Sequence, residues 1–182
     1  MIHFALFGAG RIGRIHGANI AAHAAARLKY VVDVDAAAAG RIAEAAGATV
    51  ADTAQALADP GVDALLIASP TDTHAALIEA GAKAGKAMLC EKPVDLDVGR
   101  ARAAVAAAER AGVLLAIGFN RRYDPSFRRI RDGSFGRRSC GRYIRAVDDD
   151  HLALAVACPL AKHLGQAADR AARERAAVDR HH

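Results

Sequence analysis

The stretch Phe4-Ala5-Leu6-Phe7-Gly8-Ala9-Gly10-Arg11-Ile12-Gly13 decides the fold. An apolar run ends at Gly8, whose missing Cβ permits a tight turn. Gly10 lets the backbone come close to a pyrophosphate, and Gly13 lets the following helix sit against the strand. The first amides of that helix have no intrahelical acceptor, and with the positive end of the helix dipole they favour an anion by roughly 0.3 to 1 kcal/mol. Working outward, Met1 to Phe7 reads as a buried strand, Arg11 to Ala26 as a helix, and Leu28 to Val32 as a second buried strand. This is the βαβ unit that a dinucleotide loop requires. Asp33 closes the second strand roughly twenty residues beyond Gly13, the spacing of an acid that accepts hydrogen bonds from a ribose. A glycine triplet alone also serves ordinary turns; the flanking unit gives this one its weight.

The pattern continues along the chain. Asp35 to Gly47 is an alanine-rich helix stopping at a glycine, Ala48 to Val50 a short strand, and Thr53 to Ala58 a small helix before the turn Asp59-Pro60-Gly61. Val62 to Ala68 is another buried run. It leads through Ser69-Pro70-Thr71-Asp72-Thr73-His74 into a helix with Ala76, Leu77, Ala80 and Ala84 on one face. Lys86 to Cys90 is a fifth strand. Asp95 can cap a helix with Val98, Ala101, Val105 and Ala108 on its buried stripe, and Gly112 ends it before a sixth strand, Val113 to Ile117. Strands alternating with helices predict an α/β fold, a doubly wound parallel sheet covered on both faces. Every parallel strand then delivers its C-terminal end to one edge, where open α/β sheets bind their ligands. Gly8 to Gly13, Asp33, Ser69 to His74, Glu91-Lys92-Pro93 and Gly118-Phe119-Asn120 thereby become neighbours.

Length and composition bound the alternatives. A chain of 182 residues accommodates one good core, or one domain and a piece of another, and is too short for two full α/β domains. No run approaches the roughly 18 to 20 apolar residues of a membrane span, and the N-terminus lacks the plan of a secretory signal. The expectation is a soluble, cytoplasmic protein without a membrane partner. Cys90, Cys140 and Cys158 are an odd set without paired metal spacing, so neither a disulfide framework nor a metal site is expected. The formal charge is +5, but the arginines crowd into the last third among aspartates, which reads as a solvated segment and not a nucleic-acid surface.

With Cys90-Glu91-Lys92-Pro93 and Gly118-Phe119-Asn120-Arg121-Arg122-Tyr123-Asp124 in place, the chain resembles the glucose–fructose oxidoreductase, inositol dehydrogenase and rhizopine catabolism family. The likeness runs from residue 1 to about residue 136 and is greatest to the inositol 2-dehydrogenases in it. It implies a Rossmann domain over residues 1–120 that binds NAD, followed at 121–182 by a remnant of a second domain and an irregular or helical tail. It further implies that Gly8, Ala9, Gly10, Arg11, Ile12 and Gly13 form the nucleotide loop. Asp33 lies on the adenosine ribose, where an acid disfavours a 2′-phosphate and so selects NAD over NADP. Ser69, Pro70, Thr71 and His74 run beside the nicotinamide half, with Glu91, Lys92, Asn120 and Arg121 bordering cofactor or substrate. The implied reaction is NAD-dependent oxidation of a secondary alcohol on a small polyol to a ketone, of the inositol 2-dehydrogenase type. Lys92 is the catalytic residue, its ammonium stabilising an alkoxide as hydride leaves the carbon. Family members associate as homo-oligomers.

Plainer roles compete with these. Outside its motif Lys92 is a solvated lysine after a strand, His74 a partly buried polar group in a first helical turn, and Arg11 an exposed loop side chain. Arg121 and Arg122 are equally placed to pair with Asp124, and Cys90 is a packing residue in preference to a nucleophile. The chain also departs from the family, which supplies a general-base histidine four residues after an aspartate. No Asp-x-x-x-His pair stands in a matching context, and His151 and His163 are unsupported in that role. After Gly136 the expected strand-rich domain gives way to an arginine- and alanine-rich segment, Arg137 to His182, with helical pieces at Ala153 to Leu164 and Gln166 to Arg180. The expectation is a truncated or frame-shifted dehydrogenase with little turnover alone. The alternative is a non-catalytic dinucleotide-binding module or sensor.

Overall fold

Two-sided burial of short apolar runs builds the sheet. In the computed structural model, which describes residues 1–122 and 124–126, the strands are β1 (Ile2–Phe7), β2 (Ala26–Val32), β3 (Thr49–Val50), β4 (Ala64–Ile67), β5 (Ala87–Glu91) and β6 (Leu115–Gly118). All neighbours pair in parallel, in the order β3-β2-β1-β4-β5-β6. Ile2, Phe4 and Leu6 of β1 pack on one face with Ile20, Leu28, Ile42, Leu66 and Leu89. Ala5 and Phe7 pack on the other with Leu65, Ile67, Ile78, Met88 and Ala104. Leu6, Leu65, Ile67 and Ile78 are fully buried, each contributing about 1.5 to 3 kcal/mol relative to exposure. A strand buried on both faces has no polar stripe, which is why these runs read as continuously apolar.

The helices are α1 (Arg11–Ala22), α2 (Ala36–Ala46), α3 (Thr53–Ala58), α4 (Thr71–Lys83) and α5 (Val98–Ala111), with a 3₁₀ turn at Asn120–Arg122. Asp35 caps α2 by accepting from the amides of Ala37 and Ala38, Asp52 caps α3 through Gln55, and Asp97 caps α5 through Arg100. Gly47 and Gly112 end α2 and α5 in the left-handed conformation. The doubly wound parallel sheet expected from the sequence is thus present.

Several boundaries and faces differ from expectation. The first helix stops at Ala22, and Ala26 already belongs to β2, because His23 takes an extended conformation. The cap of α5 is Asp97, while Asp95 turns inward and accepts from the amide of Asp97. Ala104 and Ala108 form the buried stripe of α5, and Val98 is exposed. Helix α4 buries His74, Ala75, Ile78, Gly81 and Ala82, and Ala76 faces outward. The buried polar group expected at His74 is thus present, and it lies on the same face as Ile78. The tail assigned to Arg137–His182 lies outside the described residues, as do Tyr123, Cys140, Cys158, His151 and His163.

The edge where β4 and β5 begin is held by polar contacts. The Lys86 ammonium, pushed down from its ordinary pKa by burial, donates to the carbonyls of Asp59 and Val62 at 2.7 and 2.8 Å. Asp59 also pairs with Lys29 at 2.7 Å and accepts from the Tyr30 hydroxyl at 2.8 Å and the Gly61 amide at 2.7 Å. Lys29, then Tyr30 and the Gly61 amide, hold the Asp59 carboxyl down at about 2. This network fastens the Asp59-Pro60-Gly61 turn at the sheet edge opposite the candidate site.

Candidate functional site

Strand order reverses between β1 and β4, so the chains leaving them turn to opposite faces and open a crevice at their C-terminal ends. Register brings those ends level: Phe7 pairs with Val32 and Ile67, Ile67 with Cys90, and Glu91 with Gly118. The segments singled out in sequence therefore meet at one edge.

The glycines of the first loop differ in what requires them. Gly8 has φ +101°, and a Cβ there would stand 2.5 Å from the backbone of Ala68 and Ser69. A Cβ on Gly13 would fall 1.9 Å from the carbonyl oxygen of Gly8, so α1 approaches the strand end as closely as the chain permits. Both are dictated by the protein itself. A Cβ on Gly10 would meet no atom within 4 Å, so its absence leaves an open cradle in front of α1. Helix α1 begins at Gly10 without a side-chain cap or an acid in its first turn, unlike the aspartate-capped α2, α3 and α5. Its leading amides are oriented for an anion from outside.

Asp33 sits beside that cradle. One carboxylate oxygen accepts from the Ala9 amide at 2.5 Å and the other from the Asp35 amide at 2.8 Å. These two bonds fix the side chain and leave lone pairs for hydroxyl donors. Arg11 is exposed and Ile12 half-buried at the start of α1.

Across the crevice, the Thr73 hydroxyl donates to the Pro70 carbonyl at 2.7 Å, so the Ser69 hydroxyl donates to Thr73 Oγ1, also at 2.7 Å. Pro70 is exposed and Thr71 half-buried. His74 is only 2% exposed: Nδ1 lies 2.8 Å from the Pro93 carbonyl oxygen and Nε2 2.8 Å from that of Ser69. Both ring nitrogens thus lie within hydrogen-bonding distance of a backbone carbonyl, and the ring N–H has an acceptor on either side. Its nitrogens are spent on backbone, and it faces no open space.

Lys92 is exposed and, among the described residues, makes no hydrogen bond or ion pair; its peptide bond to Pro93 is cis. The Glu91 carboxylate accepts from Nε2 of the buried His16 at 2.8 Å. Sequence reasoning passed over His16; the available signal was its place in the second turn of the helix that follows the glycine loop. Asn120 and Arg121 are exposed on the 3₁₀ turn after β6. Cys90 is buried, and its thiol is pushed up to about 12, first by burial and then by Glu91, which agrees with a packing role. Among the described residues no cluster of acidic, histidine or cysteine side chains is suited to a metal, and no helix is long and apolar enough to cross a membrane.

Comparison with known proteins places this architecture. Residues 2–119 match the model of an oxidoreductase family with an NAD-binding Rossmann fold. The chain is 48% identical over 141 residues to an inositol 2-dehydrogenase of Rhizobium meliloti, covering 74% of this chain and 42% of that protein. Among solved structures, a myo-inositol dehydrogenase from Corynebacterium glutamicum superposes with a TM-score of 0.66 at 42% identity, covering 72% of this chain and 40% of that one. GenD2 of gentamicin A biosynthesis, solved in complex with NAD, superposes with a TM-score of 0.71 at 35% identity, over 77% of this chain and 40% of its own. The chain spans about two fifths of the length of such relatives. It belongs to the glucose–fructose oxidoreductase, inositol dehydrogenase and rhizopine catabolism family, and its described residues form that family's NAD-binding Rossmann domain.

Proposed function

We propose that this chain carries the nucleotide-binding half of an NAD-dependent dehydrogenase that oxidises a secondary alcohol of a polyol, inositol first among candidates. The observation that carries the cofactor half is the uncapped N-terminus of α1 behind the open cradle at Gly10, with Asp33 fixed beside it. In this reading the amides that follow Gly10 take the pyrophosphate, and Asp33 accepts from the adenosine ribose. A 2′-phosphate would meet its like charge, so NAD is preferred to NADP. The segment Ser69 to Thr71 runs beside the nicotinamide half, with Asn120 and Arg121 at the border of the crevice.

NAD, when bound, accepts the hydride. Lys92 is the residue assigned to the reacting oxygen: an exposed ammonium at the strand edge, without a competing partner among the described residues, stabilises charge that develops on an alkoxide. The polyol assignment rests on likeness to relatives whose names specify inositol. The base that takes the hydroxyl proton is assigned to none of the described residues, and low turnover by these 182 residues alone is part of the proposal.

Calorimetric titration with NAD and with NADP tests the cofactor half, and NADH absorbance against a panel of inositol isomers and other polyols tests the rest. Saturable NAD binding, at least about tenfold tighter than NADP, is the expected result, tenfold being about 1.4 kcal/mol. A folded chain that binds neither nucleotide overturns the cofactor reading. Robust NADH production by the chain contradicts the expectation of low turnover. Inositol that neither reacts nor alters NAD binding favours a dinucleotide-binding module without catalysis.

A further inference from the structure

Three polar or charged residues are buried among those described: His16, His74 and Lys86. Lys86 serves the opposite sheet edge. The two histidines, from different helices on opposite faces of the sheet, both end on the residues flanking Lys92. His16, on α1 behind the glycine loop, donates to the Glu91 carboxylate at 2.8 Å. That carboxylate lies against Gly118, where a Cβ would come within 3.2 Å of both its oxygens, so β6 backs it from the other side. His74, in the first turn of α4, sits between two backbone carbonyls, with Nδ1 2.8 Å from that of Pro93 and Nε2 2.8 Å from that of Ser69. Lys92 itself, exposed and without a partner among the described residues, is placed only through its neighbours.

We infer that His16 and His74 are positioning residues for Lys92. One ties the residue before it to the helix of the glycine loop; the other ties the residue after it to the segment at Ser69. A buried histidine that served packing alone would have no reason to end on this loop, and burying a polar ring is costly unless its bonds are made. The arrangement links the two segments read as holding either half of a dinucleotide to the ammonium between them. The inference rests on the reading of Lys92 given above, but its first test does not require nucleotide.

Hydrogen exchange of the ligand-free 182-residue protein is compared for wild type, His16→Gln, His16→Leu and His74→Leu. Glutamine still offers an N–H to Glu91; leucine does not. Exchange across residues 91–95 is expected to accelerate about tenfold in both leucine variants while α2 and β2 keep wild-type rates, because loss of a local tie opens a local segment. His16→Gln is expected to behave as wild type. Uniform acceleration over the whole sheet, or none at 91–95, overturns the inference and leaves the histidines as ordinary core residues. Should His16→Leu not fold, Glu91→Ala removes the same tie from its half-exposed end and carries the same expectation. The second readout is the NMR shift of the Lys92 Cε–Hε signal on adding NAD, with Lys83 as the internal reference. The response of Lys92 is expected in wild type and His16→Gln and to fall by at least about half in the tie-breaking variants while calorimetry still detects NAD. A full response without the ties overturns the inference. Absence of NAD binding in wild type strikes at the proposed function instead, and the exchange data then decide this inference alone.

Discussion

Replacing Gly13 by alanine puts the closest backbone approach in the domain to a quantitative test. The new Cβ would stand 1.9 Å from the Gly8 carbonyl oxygen and 2.9 Å from its carbon, where less than 3.0 Å is essentially never tolerated. Both obstructing atoms are backbone at the end of β1, so the relief must come from α1 retreating by about 1 Å, an overpacking cost of about 1 to 3 kcal/mol. Alanine recovers about 0.8 to 1 kcal/mol of helix propensity over glycine, which offsets only part of this. An approach of 1.9 Å to backbone puts the cost in the upper part of that range, about 2 to 3 kcal/mol, so the net loss is about 1 to 2 kcal/mol, or roughly 4 °C of melting temperature per kcal/mol for a domain of this size. Gly40→Ala is the matched control: it also lies in a helix, but its Cβ would meet nothing within 4 Å, so only the propensity gain remains. Scanning calorimetry should therefore place Gly13→Ala below wild type and Gly40→Ala at or above it. The same retreat draws the α1 amides away from the crevice, and NAD affinity should fall by at least about tenfold, or 1.4 kcal/mol. A Gly13→Ala protein that melts with the control and binds NAD as wild type would refute the reasoning.

Asp33→Ala removes the acceptor that fixes the Ala9 amide and the charge that opposes a 2′-phosphate. NAD affinity should drop about tenfold or more and the NADP-to-NAD affinity ratio should rise, both read by calorimetry. The Asp59 carboxyl is held at about 2, below its unfolded value of about 3.8, so its contribution to stability is present above about pH 4 and is lost as pH falls towards 2. Urea melts over that window should lose stability more steeply for wild type than for Asp59→Asn; equal slopes would remove the role assigned to the Lys29–Asp59 contact. The Cys90 thiol, raised to about 12, stays protonated near neutrality, and alkylation mapped by peptide mass spectrometry should leave it unmodified until the protein is denatured. Asp35→Ala strips the cap from two α2 amides and should cost about 1 kcal/mol in chemical denaturation.

Much of this arrangement is legible in the residues themselves. The βαβ unit, the helices beginning near Asp35 and Thr53 and the stops at Gly47 and Gly112 follow from local chemistry, because turn and helix-end preferences act within a few residues. The buried face of α4 does not, since it depends on a contact made at a distance, and the cap of α5 does not, since two aspartates two residues apart compete for it. His74 turns inward to reach the Pro93 carbonyl, 19 residues away, and Asp95 is drawn inward and leaves the cap to Asp97. His16 escaped notice for the same reason, its partner Glu91 lying 75 residues along the chain. Strand register alone makes those residues neighbours.

The measurement that bears most directly on the central claim is an amide-resolved NMR titration of the chain with NAD. The account predicts saturable shifts concentrated at Gly8 to Gly13, Asp33 and Ser69 to His74, the C-terminal strand edge where β1 and β4 part, with His3, Asp63 and Lys86 at the opposite edge unmoved. Saturable shifts centred on that opposite edge, or no shifts from a folded chain, would contradict it.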